Sequence, residues 1–228
     1  MCLGLPVGNH VMFHAKVDGE DILRKYTPIS DVKDQTFVDF VIKVYRKNVH
    51  PKFPEGGLMT QYLENLVIGE SLCMSGPHGR LTYEGFGRFY TKAKTSVKKK
   101  IGHIAGGTGI TPIFQVLQAA LKNEDGTSHS LLFGNRSVDD ILLKGELEQL
   151  AETHNEQFNM HLTVDMKPPK GAKWTQGVGF VTKEMLKEWM PAPSVETMIL
   201  YCGPPVFTDL MTKLLKDLDY DDSMLFKF

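Results

Sequence analysis

From residue 101 onward the chain alternates short apolar runs with amphipathic stretches of two to four helical turns, and few folds can accept that pattern. Residues 101–105 (IGHIA) form the first apolar run, and residues 110–121 carry Ile110, Ile113, Phe114, Leu117, Ala120 and Leu121 on one helical face. Residues 130–134 (SLLFG) and 139–154, with Leu143, Leu147, Leu150 and Ala151 aligned, repeat the unit. Residues 159–165, 183–190, 197–202 and 206–218 continue it. Strands separated by helices of this length return through right-handed crossovers, so this half predicts a doubly wound α/β fold with a parallel sheet covered on both sides.

The first 90 residues read differently. Residues 10–17 alternate, residues 21–28 follow an Asp18-Gly19 turn, and residues 36–45 (TFVDFVIKVY) are β-branched and aromatic. Residues 58–66 have helical spacing and stop before Gly69, and residues 70–76 read as a strand closed by Gly-Pro. About five short antiparallel strands and one helix make a partial barrel. The polar, basic run 92–100 (KAKTSVKKK) marks the boundary, so the expected organisation is α+β in two domains: a barrel at 1–90, a linker at 91–100 and the α/β domain at 101–228. That run reads either as a solvated linker or as a docking surface for an acidic partner.

Several functions are excluded early. A net charge of −1, from 26 basic and 27 acidic residues, gives no overall attraction for nucleic acid. Cys2, Cys73 and Cys202 are far apart, so they build neither a disulfide framework nor a zinc or iron–sulfur site, and a reducing compartment fits. His10 and His14 share a strand face but no third ligand follows them. No apolar run approaches the roughly 20 residues that span a bilayer, and no signal peptide opens the chain, which is expected to be soluble as written.

Two strand ends carry candidate chemistry. Gly106-Gly107-Thr108-Gly109-Ile110-Thr111-Pro112 joins the first α/β strand to its helix, where free N–H groups and the helix dipole favour a pyrophosphate. Its spacing is neither a dinucleotide fingerprint nor a P-loop, and a purely structural turn is the alternative. Tyr201-Cys202-Gly203-Pro204-Pro205 ends the last main strand and aims a thiol at the crevice, or simply buries a small apolar side chain. In the barrel half, Arg24, Tyr26, Thr27 and Ser30 stand at a strand end, and Gly56-Gly57 precede the helix with Met59, Thr60 and Gln61. Two anion cradles in differently built halves imply one extended dinucleotide, or two meeting between domains.

These segments, LGLPVGNHV, RKYTPIS, VDFVIKVY, HPKFPEGGLMTQYLENL, GPHG, GGTGITP, LLFGNRSVDDILL and CGPP, occur in an order that resembles the NADH-cytochrome b5 reductase family of FAD flavoproteins, within the ferredoxin reductase superfamily. The likeness runs from near Leu3 to the end. It implies a six-stranded antiparallel FAD barrel joined to a nicotinamide domain, with hydride passing from NADH to FAD and single electrons on to a haem protein such as cytochrome b5. By that resemblance Arg24, Tyr26 and Thr27 hold FAD, Val41, Lys43 and Tyr45 line it, Gly57, Met59 and Thr60 contact its phosphates, and Thr108 adds to the cofactor site. Lys43, Gly106, Gly107, Thr108 and Gly109 meet NADH, and Cys202, Gly203 and Pro204 sit at the nicotinamide. Cys202 is expected to position rather than react, because hydride transfer needs no protein nucleophile. His10 and Thr27 match a hydrogen-bonded pair near the flavin that relays or stabilises a proton. Asp140 matches an acid that selects NADH by repelling a 2′-phosphate, opposed by the charge of Arg136.

The chain departs from the family pattern at Lys25, in place of a proline, at Leu58, in place of a lysine, and at Val206, in place of a third proline. The family also has a further strand, and often a membrane anchor or transit segment, before the region matching Leu3. The barrel is therefore expected to be incomplete at its N-terminus, with an exposed edge. Anchoring to the endoplasmic reticulum or outer mitochondrial membrane would reside in residues before those present. The implied unit is a monomer, and the alternative function is a flavin-poor, inactive fragment that binds nucleotide or a partner.

Overall fold

The structure, a computed structural model, describes residues 3–34, 36–49, 51, 53–92, 94–123, 126–169, 171 and 173–228. Cys2, His50 and Lys52, which figure in the sequence reading, lie outside the described residues. Strands β1 (His10–Val17) and β2 (Glu20–Tyr26) form a hairpin. Its two-residue turn has φ of 51° at Asp18 and 86° at Gly19, the double positive φ that matches strand twist. Helix α1 (Leu58–Glu64) packs Met59 onto β1, closing a small core with Leu5, Val11, Phe13 and Ile22. Strand β3 (Cys73–His78) takes the other edge of β1, giving the order β2-β1-β3.

Residues 36–45, expected as a strand, form none among the described residues. Their ends are tied: Ile29 N–H donates to Asp39 O at 2.9 Å, and Gly57 N–H to Tyr45 O at 2.8 Å. Between these ties, residues 40–44 make no backbone ladder to the other described residues. β-propensity describes fit to a neighbouring strand, and both edges of β1 are already occupied. Among the described residues, 40–44 and the outer side of β3, whose six residues are all exposed, have no strand beside them.

A second antiparallel sheet holds β4 (Leu81–Tyr83), β5 (Arg88–Thr91) and β6 (Thr95–Val97) in that order. The stretch read as a linker thus carries β6 and the first residue of β7 (Lys100–Gly106). Its basic residues are not all free: buried Lys98 donates to Val195 O at 2.9 Å, and Lys99 pairs with Glu196 at 2.8 Å.

The third sheet is parallel throughout. After β7 come α2 (Ile110–Lys122), β8 (Ser128–Asn135), α3 (Lys144–Thr153) and β9 (Phe158–Val164). They are followed by β10 (Gly177–Val178), α4 (Lys183–Trp189), β11 (Thr197–Cys202), α5 (Pro205–Lys216) and β12 (Leu225–Lys227). The order is β10-β9-β8-β7-β11-β12. Ile113, Leu117, Leu121 and Leu147 cover one face from α2 and α3; Leu186, Met211 and Leu215 cover the other from α4 and α5. The helix expected from residue 139 starts at Lys144 instead, because a 3-10 turn and a left-handed Leu143 (φ 56°) first bring Ile141 and Leu143 onto the core. Strands β10 and β12 have too few residues to show a period.

Candidate active site between the two lobes

The winding of the third sheet locates a crevice. From β7 the chain moves outward through β8 and β9, then returns to place β11 on the other side of β7. Ligands of open α/β sheets bind at such a reversal, beyond the C-terminal strand ends. Here those ends are Gly106 and Cys202, directly paired strands apart. Gly107 has φ 53°, and a Cβ on Gly109 would stand 2.4 Å from Cys202 O. Only glycines let the two strand-end turns pack this closely while the N-terminus of α2, which has no side-chain cap, stays open.

The first lobe closes the crevice into a groove of about 1220 Å³. Arg24, Tyr26 and Thr27 from the end of β2, Val41, Lys43 and Tyr45 from the extended segment, and Gly57, Met59 and Thr60 at α1 line it. Thr108, Gly109, Cys202, Gly203 and Pro204 line it from the second lobe, and His10 from β1. Gly106, Gly107 and Asp140 are not part of the lining.

Four contacts hold the lobes around the groove. Gly8 N–H donates to buried Gln115 Oε1 at 2.7 Å, and Lys122 pairs with Asp31. Arg80 donates to Lys227 O at 2.7 Å, with its guanidinium 5.6 Å from the Phe226 ring centre. Lys43 Nζ meets Asp140 Oδ1 at 2.5 Å, and Ser137 Oγ donates to the other carboxylate oxygen. The Lys43 and Ser137 hydrogen bonds hold the Asp140 carboxyl below its ordinary range. Two residues expected to meet the same nucleotide therefore meet each other across the lobes.

The local chemistry follows from burial. Desolvation pushes the Cys202 thiol up to about 11, so at neutral pH it is a thiol, not a nucleophilic thiolate. Burial, then the charges of Lys25 and His78, hold His10 below the usual histidine value. His10 and Thr27 make no hydrogen bond to each other among the described residues; the His10 ring instead lies 6.1 Å from that of His78. Ser75 Oγ is 2.7 Å from His14 Nε2 and 3.4 Å from His78 Nε2. His78, Ser75 and Arg80 also line the groove, without a role in the residue-by-residue sequence reading; Phe226 and Phe228 line it too, in the C-terminal segment 225–228 whose terminal aromatic the resemblance assigns to closing the domain interface. His78 stood within the GPHG block, but only the register of β1 with β3 brings it to His10.

The residues fit an extended, doubly charged cofactor. Arg24 and Lys25 face the groove without a carboxylate partner among the described residues, and both lobes present open backbone turns. The basic run 92–100 does not take part, because it lies at the N-terminal end of β7, about 20 Å of strand from Gly106. Of Lys92, Lys94, Lys98, Lys99 and Lys100, read as a surface that could face an acidic partner, Lys98 and Lys99 already hold partners within the chain. No helix among the described residues is long and apolar enough to cross a membrane, and no cluster of three or more metal-ligating side chains is present among them.

Comparison with known proteins agrees. Residues 1–83 match the oxidoreductase FAD-binding domain family, and residues 103–213 match the oxidoreductase NAD-binding domain family. NADH-cytochrome b5 reductase 2 of Rattus norvegicus is 48% identical over 234 aligned positions, covering 99% of this chain and 84% of that protein. The Homo sapiens protein of the same name gives the same figures. Among solved structures, the cytochrome b5 reductase domain of Ulva prolifera nitrate reductase superposes with a TM-score of 0.94 at 37% identity, covering 100% of this chain and 87% of that one. With a groove at the sheet reversal, cradles on both lobes and these relatives, the chain belongs to the NADH-cytochrome b5 reductase family of FAD- and NAD-binding oxidoreductases.

Proposed function

We propose that the groove holds FAD along the first lobe and NADH along the second, and that this chain passes electrons from NADH to a haem protein of the cytochrome b5 type. The observation that carries the reading is the continuity of the groove, which runs from Arg24, Tyr26 and Gly57 to Gly109, Cys202 and Gly203 without leaving the chain. When bound, FAD supplies the conversion between a two-electron hydride and single electrons. The protein's part is position and exclusion of water. Arg24 offers a planar fork to phosphate oxygens, and the backbone near Gly57 adds donors. Val41, Lys43 and Tyr45 form one wall; Met59 and Thr60 stand at α1, and Thr108 completes the cofactor cradle.

Thr108, Gly109 and the open N-terminus of α2 accept the nucleotide phosphates, with Gly106 and Gly107 shaping the turn behind them. Cys202, protonated and largely buried, packs with Gly203 and Pro204 against the reacting ring, so its role is orientation. His10 and Thr27 hold or move the accompanying proton, with His10 kept neutral by burial. Asp140, already joined to Lys43, contributes to NADH selection through that pair. Both cradles come from one chain, which supports a monomeric unit.

A second reading is a flavin-poor nucleotide-binding protein, and one observation favours it: residues 40–44, which include Val41 and Lys43, lack ladder partners. The visible spectrum of the purified chain, recorded before and after anaerobic NADH, separates the two. Flavin bands that bleach, with cytochrome b5 reduced on addition, support the reductase. A colourless folded protein that still binds NADH supports the second. Cys202→Ala is expected to keep bleaching but slow it, whereas total loss would show that the thiol reacts.

A further inference from the structure

Lys25 lines the groove without a task in the reading above, and its surroundings give it one. It stands opposite Met12 in the β1–β2 ladder, which places it on the face of β1 that also carries His10 and His14. It lines the groove together with His10 from its own lobe and Cys202 from the other. No carboxylate forms an ion pair with it among the described residues, whereas Lys43, Arg46, Lys47 and Lys122 are each paired, with Asp140, Glu64, Glu55 and Asp31.

We propose that Lys25 is an electrostatic tuning residue of the redox centre, a fixed cation that favours the reduced flavin over the oxidised nicotinamide in the same groove. The inference deepens the reading of the groove given above and rests on it. The charge balance of the reaction supplies the reason. Hydride leaves a neutral dihydronicotinamide with its electron pair, leaving a ring that is positive, and enters a neutral flavin, leaving one that is negative. An ammonium beside both stabilises the second and repels the first. It therefore raises the flavin potential and weakens retention of NAD+, without touching the hydride.

The lining of the groove places Lys25 in one cavity with His10 of β1 and Cys202 at the end of β11, and the β1–β2 register sets it on the His10 face of the hairpin. In keeping with that placement, its positive charge lowers the proton affinity of His10 and opposes the upward push of burial on the Cys202 thiol. In the open groove water screens that charge; a dinucleotide filling the groove removes that water, and the same charge acts more strongly.

The test uses the FAD-loaded chain with Lys25→Gln, Lys25→Arg and the parent. The expected result for Lys25→Gln is a lower midpoint potential of the bound flavin, read by equilibration with a reference dye. A tenfold fall in the reduced-to-oxidised ratio corresponds to about 30 mV for a two-electron couple. Lys25→Arg restores the parent value, and NAD+ inhibits Lys25→Gln at lower concentration than it inhibits the parent. In flavin-free protein, NMR titration of His10 shows its pKa rising in Lys25→Gln and returning in Lys25→Arg. A potential unchanged in Lys25→Gln, with normal flavin uptake and bleaching by NADH, overturns the tuning role alone. A parent that takes up no FAD, or whose flavin NADH does not bleach, overturns the reading of the groove and this inference with it.

Discussion

Strands β3 and β11 have the same length and opposite surroundings. All six residues of β3 are exposed, whereas β11 buries five of its six. β11 lies between β7 and β12 under helices on both faces, while β3 has β1 on one side and no described strand on the other. The parallel sheet thus pairs both sides of β11, whereas the first lobe, which supplies most of the groove lining, leaves one side of β3 and residues 40–44 without ladder partners among the described residues. An element with few buried contacts opens at low free-energy cost and gains most from whatever binds it. The expected division of labour is that the second lobe serves as a rigid seat and the first gains order from what it holds.

The largest expected effect tests whether the lobes are coupled at all. Phe133 is fully buried in a core that also contains Leu81, Tyr83 and Phe89 from the small second sheet. Phe133→Ala should cost about 3–5 kcal/mol and lower the urea midpoint of the whole molecule. Phe40→Ala, at a side chain only partly buried against the small first-lobe core, should cost less than half as much. Equal losses would erase the contrast. Next in size, FAD at a hundred times its dissociation constant should add about 2.7 kcal/mol. Hydrogen exchange should show that protection appearing in residues 40–44 and β3 and hardly changing in β7 and β8. Uniform protection would mean the first lobe is already closed.

Acid should attack the other lobe. His103 is fully buried in β7, 3.0 Å from His129 Nδ1, while His129 Nε2 lies 2.7 Å from Thr127 Oγ1. Burial, with His129 beside it, holds His103 well below the ordinary 6.5. The unfolded chain binds this proton near pH 6.5 and the folded one does not. Stability is therefore full above that pH and falls as the solution is acidified, by about 1.4 kcal/mol per pH unit until the folded pKa is reached. His103→Met should flatten that limb in thermal melts between pH 6.5 and 5. An unchanged acid slope would place the sensitivity elsewhere.

The same contrast explains what the sequence could reveal. The parallel sheet was legible because each strand is bounded by a helix with a strong 3.6-residue period, as in Ile110, Ile113, Phe114 and Leu117. The segment 36–45 carries an equally strong strand composition, yet forms no strand, because pairing depends on a neighbour that composition does not report. The groove residues Arg24, Tyr26 and Gly57 were legible from turns and a resemblance, both local in sequence. His78 and Arg80 were not, since their value comes from the β1–β3 register and from the C-terminal strand 147 positions away. The basic run at 92–100 hid its local structure for the converse reason: a charge pattern does not report pairing, and only the fold shows that it carries β6 and opens β7.

The smallest expected effect probes the seam between the two regions. Lys43 and Asp140 join the lobes at 2.5 Å, with side chains 33% and 26% exposed, so solvent weakens the pair and a stability contribution of only about 0.5–1 kcal/mol is expected. A double-mutant cycle with Lys43→Ala and Asp140→Ala should return a coupling of that size, falling in high salt. The functional consequence is expected to exceed the energetic one. If Asp140 acts on the nucleotide by holding Lys43, each single substitution should raise KM for NADH, and the double should resemble Lys43→Ala alone. If the carboxylate instead reads the ribose directly, Asp140→Ala should improve NADPH use while Lys43→Ala leaves the NADH-to-NADPH ratio unchanged. Because the pair joins the two lobes that build the groove, its coupling also reports whether the first-lobe wall is held closed before any nucleotide arrives.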